Sequence, residues 1–117
     1  MNFKTYYMKY VFSFLILLSG FYAGAQSMPA EEVAARIAKK MKDSLALSSN
    51  QQEQAYEANL QLHSRKMQAR QQYAGTDSIG IHIQHIENSR DSAYRVFLTP
   101  EQYQAYRQKK RNLISNN

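Results

Sequence analysis

The sequence predicts an all-α fold of four helices, arranged as two helix–motif–helix halves, and three observations lead there. Apolar residues recur at helical spacing along most of the chain, helix-start signals stand at the junctions, and one such signal is written twice. The two copies lie in LALSSNQ and FLTPEQY. Each has Leu, then a hydroxyl residue, then Gln three positions after the hydroxyl: Leu47-Ser48-x-x-Gln51 and Leu98-Thr99-x-x-Gln102, with the leucines 51 residues apart.

Ahead of the helices, MNFKTYYMKY carries Lys4 and Lys9 and no acid, an apolar run spans Val11 to Leu18, and Ala23-Gly24-Ala25 is a small-x-small signal. That order predicts a signal peptide over residues 1–25, cleaved before Gln26, and a single domain over 26–117. The apolar run is shorter than the roughly 20 residues a membrane span needs, so no stable membrane insertion is expected after cleavage. Export to the periplasm follows as the expected location.

The first helix carries Ala30, Val33, Ala34, Ile37, Ala38, Met41 and Leu45 on one face, with charged residues on the rest. Acids early and lysines late suit its dipole. The second, from about Ser49 to Tyr73, has a thinner stripe: Tyr56, Leu60, His63, Met67, Arg70 and Ala74. GTDSIG then breaks the pattern. The third places Ile79, Ile83, Ile86, Arg90, Tyr94 and Phe97 on one face. IGIHIQHI also alternates as a strand would, but the alternation stops at Ile86 while the helical period continues. The fourth starts at Pro100 and runs through Tyr103, Tyr106, Lys110 and Ile114.

The repeated string has a physical role. Thr99 is placed to cap the fourth helix, its hydroxyl accepting from the Gln102 N–H while the Gln102 side chain accepts from the Thr99 N–H, a capping box. Pro100 fits the first helical position, and Leu98 can pack on Tyr103. Ser48, Gln51 and Leu47 repeat the box. Gln52 occupies the packing position there, so a weaker first copy is expected.

Two such motifs in a small, Cys-free helical chain resemble the Spy/CpxP family of periplasmic stress proteins, over roughly Val33 to Lys110 and on Leu47, Ser48, Gln51, Leu98, Thr99 and Gln102. The resemblance implies an antiparallel dimer of bent helical hairpins forming a curved cradle. It also implies an ATP-independent chaperone or an envelope-stress adaptor that binds unfolded polypeptides. The composition independently favours a homodimer, because few large apolar residues and no Cys leave little to stabilise a lone domain.

The formal charge of +6 falls to +4 once Lys4 and Lys9 are removed. On an exported chain, the acidic partners expected are membrane surfaces, envelope polymers or other proteins, and nucleic acid is not expected. Helix–LTPEQ–helix followed by RQKKR imitates a DNA-binding helix-turn-helix, but the leader argues against it.

Arg70 and Arg90 interrupt otherwise apolar stripes. Either their stems cover the core edge with the guanidinium in water, or they line an uncovered client surface together with Tyr56, Leu60, Met67, Ile83 and Ile86. His82 and His85 have a spacing that can place two imidazoles on one metal, so a metal-responsive sensor is the alternative function. They are weak candidates, since only Glu87 or Asp91 stands nearby as a third ligand. Scattered serines, histidines and aspartates and the lack of a Gly-rich phosphate loop point away from an enzyme and from any cofactor.

Overall fold

A computed structural model describes residues 29–115. The expected leader and its cleavage point lie outside these residues. Four helices account for most of them: α1 (Ala30–Leu45), α2 (Ser49–Gln72), α3 (Ile79–Arg95) and α4 (Pro100–Ile114). The all-α class and the two helix–motif–helix halves are as expected. IGIHIQHI is helical, because Ile86, Arg90 and Tyr94 form one buried stripe that only a helix can align. No helix among the described residues is long and apolar enough to cross a membrane.

The helices alternate in direction. The α1 end meets the α4 start where Gln102 reaches Leu45, and the α4 end returns to α1 where the Lys40 Nζ donates to the Ser115 carbonyl at 3.3 Å. Helices α2 and α3 run antiparallel from the Asn59–Arg90 contact to the Tyr73–His82 contact at their tip. Two apolar clusters result. The larger draws on all four helices around the fully buried Met41, Tyr94 and Tyr106. The smaller joins Leu62, Ala69 and Ile86 between α2 and α3.

Two turns are locally demanding. Helix α1 ends with Ala46 in the left-handed region at φ 54°, the conformation that turns the following Leu47 N–H back to bond the Lys42 carbonyl at 3.2 Å. The α2–α3 turn uses Gly75 at φ 75°, where only glycine is unstrained.

One expectation needs correction. The face of α2 turned inward is Ala55, Asn59, Leu62 and Ala69, one residue out of phase with the stripe that begins at Tyr56. One residue is about 100° around the helix. Small side chains at Ala55 and Ala69 let neighbouring helices approach α2 closely, whereas a scan for large apolar residues follows Tyr56, Leu60 and Met67 instead. On α4, likewise, Leu113 is buried beside Tyr106, while Ile114 is only partly covered.

Candidate functional site

The repeated motif forms a reciprocal clasp. Ser48 and Thr99 both have extended backbone, and each hydroxyl accepts from the N–H three residues on, at 3.1 Å from Gln51 and 3.2 Å from Gln102. Each glutamine carbonyl accepts from its own cap N–H at 3.0 Å. The amide nitrogens then cross between the copies. Gln51 Nε2 donates to Gln102 Oε1 at 2.7 Å and to the Phe97 carbonyl at 2.9 Å. Gln102 Nε2 lies 3.2 Å from Gln51 Oε1 and 3.4 Å from the Ala46 carbonyl. Phe97 and Ala46 each stand two residues before a cap, so the crossing is a near-twofold exchange within one chain. Leu47 and Leu98 are both buried beneath it. The first copy is therefore as complete as the second, contrary to the weaker box expected there. Its leucine is held by the core rather than by a partner four residues into α2.

Away from the clasp, α2 and α3 share a buried polar cluster centred on Arg90, which is only 5% exposed. Its Nε and Nη2 donate to the two Glu87 oxygens at 2.6 and 3.0 Å, and its Nη1 donates to Asn59 Oδ1 at 2.9 Å and Tyr94 Oη at 2.8 Å. The Tyr94 hydroxyl also donates to Asn59 Oδ1, and Lys66 pairs with Glu87. Burial opposes charge on both Arg90 and Glu87. Their bidentate pairing and mutual attraction outweigh it, so the guanidinium is held more firmly protonated than usual and the Glu87 carboxyl lies below its ordinary range. Burial pushes the Tyr94 hydroxyl up, which keeps it a neutral donor.

A parallel anchor ties α3 to α4. Asp91 accepts from Tyr106 at 2.7 Å, Lys110 at 3.0 Å and Arg107 at 2.8 Å. Burial tends to raise the Asp91 carboxyl, but these donors lower it overall. Lys109 bonds the Ser44 carbonyl at 3.1 Å, so three cations of the basic run serve contacts between helices.

The open surface lies elsewhere. A groove of about 810 Å³ runs between α1 and α2, with Pro29, Ala30 and Val33 on one side and His63, Met67 and Arg70 on the other. Met67 is 44% exposed, and Arg70 is exposed beside it.

The seven residues expected to bind clients thus divide. Arg70 and Met67 are on the groove. Tyr56 is half-buried against the larger cluster, Leu60 is half-buried, and Ile83 packs on the smaller cluster. Ile86 is buried within that cluster, and Arg90 is buried in the polar network. Neither expectation for Arg90 holds: its guanidinium is neither wet at the core edge nor on an open surface, because it is buried and donates to Glu87, Asn59 and Tyr94 inside. The periodicity of large apolar residues does not mark Asn59. Its signal was the spacing Ala55–Asn59–Leu62, a helical stripe hidden by its small and polar members.

The His82 ring stacks on Tyr73 at 3.6 Å between centroids and 7° between planes. His85 is exposed. Among the described residues, no group of three or more His, Cys, Asp or Glu side chains is gathered to hold a metal ion.

No protein-family model matches the chain, and neither a curated protein nor a solved structure matches it.

Proposed function

We propose that this chain is an exported, periplasmic polypeptide-binding protein, an ATP-independent chaperone or envelope-stress adaptor that works as a homodimer. The observation that carries this is the α1–α2 groove, open to solvent and lined by apolar Val33 and Met67 beside the cation Arg70. Unfolded chains present apolar side chains and carboxylates together, and a mixed groove receives both without demanding one sequence. Methionine adapts to varied apolar shapes, and arginine offers planar donors to carboxylates.

The rest of the fold suits that use. The clasp and the Arg90 network fix the helices that form the groove walls, so binding does not have to organise them. Ile81 and Val96 are 62% and 83% exposed on α3 and the junction after it, apolar surface that a second copy would cover.

Aggregation of an unfolding model protein, followed by light scattering without nucleotide, tests the function. Suppression at near-stoichiometric amounts is expected, and no suppression at large excess would refute it. Multi-angle scattering of the purified chain tests the assembly. A mass of one chain at micromolar concentration would remove the dimer.

A further inference from the structure

Next to the groove lies a deeper cleft of about 190 Å³ with a chemistry of its own. Its apolar wall is Val33, Ala34 and Ile37 of α1 with Ile114 of α4. Its polar wall is Asn59, His63, Lys66 and Arg70 of α2 with Arg90 of α3. Three permanent cations line it and no carboxylate does. Glu87 answers both Arg90 and Lys66 from outside the lining, so two cations share one anion and Arg70 adds a further positive charge.

Two residues that line the cleft also carry donors that lack acceptors. Asn59 is 3% exposed, and its Oδ1 is fully engaged by Arg90 and Tyr94. Its Nδ2 has no hydrogen-bond partner. Arg90 uses four of the five N–H groups of a guanidinium, leaving one on Nη2. A buried amide N–H without an acceptor is disfavoured, and negative charge in the cleft that Asn59 lines would favour it. Excess positive charge selects an anion. The apolar wall selects one that carries an aliphatic substituent, which a carboxylic acid has and an inorganic anion lacks.

Val33, His63 and Arg70 line both the cleft and the groove. The two therefore adjoin, and a chain leaving the cleft past these residues would enter the groove. A polypeptide end has this form: a carboxylate, one side chain, then extended backbone. We propose that the cleft binds the C-terminal carboxylate of a polypeptide whose last residue is aliphatic, with the preceding chain lying in the α1–α2 groove. This rests on the polypeptide-binding function proposed above and gives it a preferred point of attachment.

The test is fluorescence anisotropy with a short labelled peptide ending in leucine, its C-terminal amide, and isocaproate as a free aliphatic acid. The acid peptide should bind about tenfold or more tightly than the amide, as a charge-assisted hydrogen bond implies. Arg70→Gln, at an exposed position, should weaken the acid peptide several-fold with an unchanged melt. Asn59→Asp keeps an acceptor toward Arg90 and Tyr94 but puts negative charge where the amide nitrogen was, and should abolish the acid preference. If it fails to fold, the acid–amide comparison and Arg70→Gln decide. Equal binding of acid and amide overturns the proposal while leaving a chaperone that still suppresses aggregation. Isocaproate binding as tightly as the peptide overturns it in favour of a small-acid site. If neither peptide binds and aggregation is not suppressed, both readings fall together.

Discussion

Across Leu47–Gln51 the helices α1 and α2 pack along each other, whereas across Leu98–Gln102 the helices α3 and α4 meet through long side chains. The capping boxes at the two junctions are nearly identical in geometry, so they do not set this difference. Side-chain size does. Ala34 and Ala38 are buried on α1 and Ala55 on α2, and their small volume lets backbones come close. On the other side, Tyr94 meets Tyr106 edge-on at 4.9 Å between centroids and Phe97 at 5.6 Å. Arg95 lies over the Tyr103 ring at 4.5 Å. These rings and the Asp91 anchor hold α3 and α4 apart while keeping them joined. The motif decides where the chain turns, and the residues beyond it decide how tightly the hairpin closes.

The largest expected effect follows from the aromatic half. Tyr106 is fully buried and anchors Asp91, so Tyr106→Ala should destabilise by about 3–5 kcal/mol in denaturant melts. The buried alanines of the other half, Ala34, Ala38 and Ala55, offer no truncation of that size. A loss below about 1 kcal/mol would mean that the rings fill space without supporting it.

Next in size is the polar cluster. Glu87→Gln leaves the Arg90 charge buried without its counterion and should cost about 2–3 kcal/mol, less than a fully buried pair because Glu87 remains 23% exposed. The folded Glu87 carboxyl lies below its ordinary value, so its stabilising contribution is complete above the unfolded carboxyl pKa of about 4.3. It drains away as pH falls through the folded value. Asp91 behaves the same way. The unmodified chain should therefore lose stability below about pH 4, and Glu87→Gln should show a shallower acid limb. Parallel acid limbs for the two proteins would show that Glu87 gains nothing from its partners.

The two copies of the motif should be nearly equal. Ser48→Ala and Thr99→Ala are each expected to cost about 1 kcal/mol, since both boxes are complete. Gln51→Ala and Gln102→Ala should couple by about 0.5–1 kcal/mol in a double-mutant cycle, because each amide bonds the other. Additive losses would mean that the copies cap independently and do not clasp.

Much of this was legible in the sequence. Helix positions followed from periodicity and caps, and the repeated Leu-hydroxyl-x-x-Gln marked both junctions. What was not legible was pairing. Nothing in either string says that Gln51 and Gln102 meet, because a capping box is locally complete and its second hydrogen-bonding edge is chosen by the tertiary fold. The phase of α2 was lost for a related reason. Its inward face is Ala55, Asn59, Leu62 and Ala69, and alanine and asparagine carry little hydropathic signal. Arg90 is anomalous on an apolar stripe, but only the structure supplies the buried partners that make it a structural residue rather than a surface one.

The smallest expected effect on stability falls at Arg70, the arginine that does stay on the surface. Arg70→Gln should change the melt by less than about 0.5 kcal/mol, since exposed charges contribute little. Its effect should appear in function. Aggregation suppression should weaken most for acidic clients, and added salt should reproduce the defect in the unmodified protein, because screening shortens exposed attractions to about 8–10 Å. Arg90→Gln is the contrasting substitution. It removes a cation from the Glu87 and Asn59 network and should lower the melt, so any loss of activity there follows from damage to the fold. An Arg70→Gln protein that melts normally and suppresses aggregation of acidic clients as before would take Arg70 out of the binding groove. It would leave Val33 and Met67 to bind by apolar contact alone, and suppression would then be insensitive to salt.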